Sequence, residues 1–124
     1  MPVTFNAVVF AVGRDEDHDY DFAAFADRPD GSGRTLEIQR ALEFDAQDVE
    51  LGMDTYCLVL DASVVHYGGV VAWQLAGGRM VLSLDRAAEA EMGSAHLVVA
   101  LPAGAEDAVS EMLPRLLAQP FPSA

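Results

Sequence analysis

Residues 56–84 read YCLVLDASVVHYGGVVAWQLAGGRMVLSL, and the fold turns on how this stretch is parsed. The apolar run 56–60 ends at Asp61, a second run resumes over 66–76 after a short polar link, Gly77 and Gly78 turn the chain, and 79–84 returns. Gly-Gly between two β-rich runs signals a hairpin, because the favoured two-residue turns need positive φ at both central positions. The stretch predicts a three-stranded meander. Two further glycines, Gly68 and Gly69, fall inside the second run, where glycine weakens a strand unless it makes a bulge or admits a close neighbour. A sheet bend with Tyr67 and Trp73 packed beside it is the expected outcome, with close approach of a ligand as the alternative. A lone Trp at a strand position reads as core; exposed, it becomes an interaction hot spot.

Working outward, residues 3–12 form an apolar, β-rich run closed by Gly13. Residues 14–21 then hold five acids, Asp15, Glu16, Asp17, Asp19 and Asp21, and predict a solvated loop. A turn cluster at 29–33 precedes Leu36, Ile38 and Leu42, which alternate with Glu37, Gln39 and Glu43 as in a strand buried on one side. The acidic connection 44–54 holds a helical turn near 46–51. Asp85 is placed to cap a helix over 86–92, and Gly93 to end it in the left-handed conformation. Residues 95–101 read as a strand. In 105–119, Val109, Met112, Leu113, Leu116 and Leu117 recur at helical spacing, with a kink or break expected near Glu111 because Pro114 lacks an N–H. Strands followed by a C-terminal helix point to an α+β fold, with a mainly antiparallel sheet of about five to six strands covered on one face by that helix.

Composition bounds the function. Twenty acidic residues against seven arginines and no lysine leave a net charge of -13, while 52% of the chain is hydrophobic. A chain this apolar can offset its ordering entropy, so it is expected to fold as a single domain over residues 1–124. At this length about two thirds of the unfolded surface is buried, enough for a core without metal or disulfide staples. The surplus carboxylates must then lie outside, where their potential repels nucleic acid and anionic lipid and draws cationic partners. Cys57 is the one cysteine, so no intrachain disulfide forms. The first residues lack a signal peptide's cationic and apolar regions, and no apolar run nears the roughly 20 residues of a bilayer span. The chain reads as cytoplasmic.

Three constellations invite chemistry. Residues 14–21 offer alternating carboxylates, but counting from Asp15 the sixth position is Tyr20 and the twelfth Ala26, where a Ca²⁺ loop needs Gly and Glu. Cys57, Asp61 and His66 form a possible nucleophile, orienter and base, but without a flanking signature and with Cys57 in an apolar strand. The Gly68-Gly69 pair fits neither phosphate-loop spacing. The residues point to no cofactor, no metal site and no catalytic set.

The segments Leu36-Glu37-Ile38-Gln39-Arg40, Asp54-Thr55-Tyr56-Cys57-Leu58, Tyr67-Gly68-Gly69-Val70 and 75–93 occur in an order that resembles the "immunity protein 10" family of bacterial polymorphic-toxin immunity proteins. The resemblance covers about the middle half of the chain. It implies a non-enzymatic protein that binds and neutralises a cognate toxin domain, and it carries over no catalytic residue. An acidic surface is independently suited to a toxin with a basic one. By charge density the contact residues are Asp15, Glu16, Asp17, Asp19, Asp21, Asp45, Asp48, Glu50 and Asp54. Two rivals stand beside this. A small-molecule-binding or enzymatic α+β domain would use a pocket near Tyr56, His66, Tyr67 and Trp73. A homo-oligomeric module would pair through a sheet edge or the Leu116-Leu117-Phe121 end, and the expected state is monomer or homodimer.

Overall fold

The computed structural model describes residues 2–118. Among them the alternation of apolar and polar side chains yields β1 (Val3–Asn6), β2 (Val9–Asp15), β3 (Tyr20–Ala26), β4 (Thr35–Ala41), β5 (Cys57–Leu60), β6 (Val64–Tyr67), β7 (Val70–Ala76), β8 (Arg79–Leu84) and β9 (His96–Ala100). The helices are α1 (Ala46–Glu50), α2 (Arg86–Met92) and α3 (Glu106–Leu116). The fold is α+β, with the strands shared between two sheets. One is an antiparallel meander, β2-β3-β4-β5-β6; the other has the order β1-β9-β8-β7, with β1 parallel to β9. Ala23, Phe25, Leu36, Ile38 and Leu58 of the first sheet and Phe5, Met80, Leu82, Leu97 and Val99 of the second enter one apolar core, which also takes Ala88 and Met92 of α2 and Val109, Leu113 and Leu116 of α3.

Where the sequence predicts a three-stranded meander over 56–84, the chain instead makes two hairpins in different sheets. The crossing falls on the glycine pair, Gly68 at φ +73° and Gly69 at φ +96°. The Tyr56 carbonyl accepts from Gly68 N at 2.9 Å, the Gly69 carbonyl accepts from Asp85 N at 2.8 Å, and the Tyr56 hydroxyl accepts from Val70 N at 2.8 Å. A side chain on Gly69 would put its Cβ 2.5 Å from that of Ala88. The glycines therefore serve a close approach of α2, and Tyr56, fully buried, anchors the crossing. The run 3–12 divides in the same way: Ala7 N donates to Ala100 O in one sheet and Val8 N to Ala26 O in the other.

The hairpin at Gly77 and Gly78 forms as expected, both residues having positive φ. Asp85 caps α2 by accepting from Ala88 N at 2.9 Å, and Gly93 ends it at φ 84°. Asp45 and Asp48 close a capping box on α1. The break expected near Glu111 does not occur: α3 runs through Pro114 to Leu116. The proline removes a single ladder bond, to the carbonyl of Ser110, an exposed residue whose carbonyl can turn to water. Arg40 closes the helix, donating to Leu116 O at 3.2 Å and to Ala118 O. Gln119 and Phe121, assigned from sequence to the helix end and to an oligomer contact, lie outside the described residues. Trp73 is not core. It sits on β7, an edge strand, and is 38% exposed. No helix among the described residues is long and apolar enough to cross a membrane.

Candidate partner interface

The register of the five-stranded sheet sorts its side chains onto two sides. Val12, Ala23, Ile38 and Leu58 share a cross-strand line facing the core, so their neighbours Gly13, Phe22, Gln39, Cys57 and Tyr67 line up on the other side. On that outer side a second row runs through Ala11, Ala24, Glu37, Val59 and Val65, and a third through Asp15, Tyr20 and Ala41. Small residues in the middle strands leave a trough of about 490 Å³, whose lining includes Ala11, Ala24, Val59 and Glu37. Toward the β2–β3 turn, on the same side of the sheet, the Tyr20 and Phe22 rings meet in a tilted contact, centroids 5.9 Å apart at 57°. Burial raises the Tyr20 phenol above its ordinary pKa, and Asp15 and Glu37 push it further the same way. An apolar and aromatic centre with carboxylates around it has the composition of a protein-binding patch.

Two acidic segments distant in sequence meet beside this face. The β2–β3 turn places His18 and Asp19 against Glu43, Asp45 and Asp48 around a cleft of about 450 Å³, and Leu42 N donates to Asp19 O at 2.9 Å where the two segments touch. Of the acids picked out from sequence, Asp19 lines this cleft from the turn and Asp45 and Asp48 line it from the other segment, whereas Asp15, Glu16, Asp17 and Glu50 do not border it. Asp48 also borders a neighbouring cleft with Tyr20, Gln39, Cys57 and Tyr67. Asp54 stands apart, lining a separate cleft with Tyr56, Gly68, Val71 and Asp85. Glu37 and Glu43 belong to this surface and were not picked out from sequence. For Glu37 the signal is positional, since it is the polar partner in the β4 alternation whose apolar side is core; Glu43 has no such signal, because β4 ends at Ala41 and Leu42, expected on the buried side, is exposed.

Asp21 is built differently from the other acids. It faces the core side of β3, opposite Arg14 on β2, and is only 7% exposed. Arg14 Nε reaches its carboxylate at 2.8 Å and Arg115 of α3 at 3.2 Å. The hydrogen bond from Arg14 is the largest influence holding this carboxyl below its ordinary pKa. Asp21 joins the helix to the sheet, and its charge is spent on two guanidiniums.

The catalytic candidates separate. Cys57 pairs with Tyr67 and Leu58 with His66, so the thiol and the imidazole project from opposite sides of the sheet. Asp61 is engaged elsewhere, with Arg34 at 3.0 Å and Thr35 N at 3.1 Å. Burial raises the Cys57 thiol above its ordinary pKa. The rival pocket also fails to assemble: Tyr56 and Tyr67 line different clefts, and the Tyr56 hydroxyl is held by Val70. In the acidic turn, Asp15 Oδ1 accepts from His18 N at 3.1 Å and Asp21 is held by arginines; among the described residues no group of three or more His, Cys, Asp or Glu is placed to hold a metal ion.

The five-stranded sheet thus carries small apolar and aromatic side chains on its outer side, with Asp19, Glu43, Asp45 and Asp48 around a cleft at one end. The sequence model described as "Immunity protein 10" matches residues 6–109, and the chain belongs to that family. A search of the curated proteins gives no match, nor does a search of the solved structures.

Proposed function

We propose that this protein is a non-enzymatic inhibitor that binds a cognate bacterial toxin domain in the cytoplasm and neutralises it. Membership of the immunity protein 10 family supports the class. The observation that supports the binding surface is the meeting of His18 and Asp19 with residues 43–48 around one cleft, at the end of the five-stranded sheet opposite the apolar trough. At a net charge of -13, that surface steers a basic partner toward itself over roughly the Debye length, about 10 Å at moderate salt. On docking, Ala11, Ala24, Phe22 and Tyr67 supply apolar contact, and the carboxylates of Asp15, Asp19, Glu37, Asp45 and Asp48 pair with arginines and lysines at the rim. Glu16, Asp17, Glu50 and Asp54 add field; Asp21 contributes through the fold.

Co-expression with the C-terminal domain of a secreted protein encoded beside this chain tests the reading. The expected result is rescue of growth together with a stoichiometric complex. Failure to rescue, with no complex formed by any adjacent toxin domain, would sink it.

A further inference from the structure

The four-stranded sheet ends on β7, and nothing among the described residues pairs with its outer edge. Edge strands are ordinarily protected by charge, proline or a bulge. Residues 70–76, VVAWQLA, contain neither charge nor proline. The register shift lies between Val70 and Ala72, so the stretch from Ala72 to Ala76 keeps a regular register. The hairpin closes on the Ala76–Arg79 pair, which makes Gln74–Val81 the next hydrogen-bonded pair and leaves the backbone groups of Trp73 and Leu75 directed away from β8. Val71 is 67% exposed and Trp73 38%. Donors, acceptors and apolar side chains are therefore all presented along one open strand.

We infer that this edge pairs with the β7 edge of a second copy, antiparallel about a two-fold axis near Gln74, giving a continuous eight-stranded sheet. Charge selects the occupant. The outward rows that begin at Ala72, Gln74 and Ala76 and cross β8 and β9 contain no carboxylate, although the chain has 20 acidic residues; their titratable groups are Arg79 and His96. Two molecules of charge -13 meet less repulsion across these carboxylate-free rows, whose nearest acids are Asp54 and Asp85 in the cleft beside Val71 and Glu106 on Gly78 N, whereas a cationic toxin gains most at the acidic surface on the other sheet. A two-fold antiparallel pairing is also self-complementary, the commonest form of homodimer. The dimer leaves both acidic surfaces open.

The test uses the full chain alone. Sedimentation velocity over a wide concentration range should show a monomer–dimer equilibrium that strengthens with salt, as screening relieves the net repulsion. That sign is opposite to the one expected for toxin binding. Trp73 is the single tryptophan, so its emission should shift to the blue as dimer forms. Ala72→Lys and Gln74→Lys, at exposed positions, should abolish both signals even though each lowers the net negative charge; Ser110→Lys, the same charge change on α3, should leave both intact. A chain that stays monomeric at all salts with unchanged emission overturns the inference, as does a dimer that survives the two edge lysines. Equally fatal would be a monomer whose Trp73 emission shifts only when a toxin domain is added, which would assign the strand to the toxin.

Discussion

Gly69→Ala is the sharpest test of how the two sheets are joined. Gly69 adopts φ +96°, and an added Cβ would lie 2.5 Å from Ala88 Cβ and 3.1 Å from the His66 ring. An L-residue in left-handed backbone costs about 1–2 kcal/mol. Overpacking against a fully buried partner adds about 1–3 kcal/mol. The sum is a loss of about 2–5 kcal/mol, a large share of an ordinary domain's stability. Gly68→Ala supplies the control, because Gly68 also has positive φ but its added Cβ would meet only Thr55 Cγ2, at 3.6 Å. It should lose about 1–2 kcal/mol from the backbone alone. Ala88→Gly removes the obstructing methyl, so Gly69→Ala combined with Ala88→Gly should lose less than the two single changes added, with a coupling of about 1–3 kcal/mol. Urea unfolding read by circular dichroism measures all four chains. Equal losses at Gly68 and Gly69, with no coupling to Ala88, would refute the close approach of α2.

Three other expectations follow from the same geometry. Asp21→Asn should cost about 1–2 kcal/mol near neutral pH, a modest figure because both arginine partners are about half exposed. Since the folded-state pKa of Asp21 is depressed, its stabilisation is complete above the unfolded value of about 3.9 and fades as pH falls through the folded value; below about pH 4 the variant and the parent should converge in urea titrations. Ala62, at φ 63° in the β5–β6 turn, should gain about 0.5–1 kcal/mol on replacement by Gly, because relief of left-handed strain exceeds the added chain entropy; a lower urea midpoint would contradict this. Cys57, buried with a raised pKa, should react with a thiol reagent only as fast as the chain opens, and rapid labelling of the native protein would contradict its placement.

Local chemistry made most elements legible before the structure. Asp85 and Gly93 bound α2 where cap preferences put them, and Gly77-Gly78 makes the hairpin its φ values demand. The partition into sheets was hidden, since the run from His66 to Ala76 has strand composition throughout and only the contact of Gly69 with Ala88, from another part of the chain, divides it. Trp73 misled because periodicity describes which side a residue faces and says nothing of whether its strand lies in the middle of a sheet or at the edge. The acidic segments were visible as charge, but their convergence depends on α1 folding back beside the β2–β3 turn. Asp21 shows the opposite limit. It belongs to the same run as Asp15 to Asp19, yet the two-residue alternation of β3 turns it toward Arg14 and Arg115.

The central claim is that the acidic cleft recognises a basic toxin domain. Its most direct test is the affinity of the complex across salt concentrations, for the parent and for a variant carrying Asp15→Asn, Asp19→Asn, Asp45→Asn and Asp48→Asn; asparagine at position 45 retains the α1 cap. The account predicts an affinity that falls steeply with salt in the parent and is weaker and flatter in the variant. Identical affinity and identical salt dependence in the two proteins would contradict it.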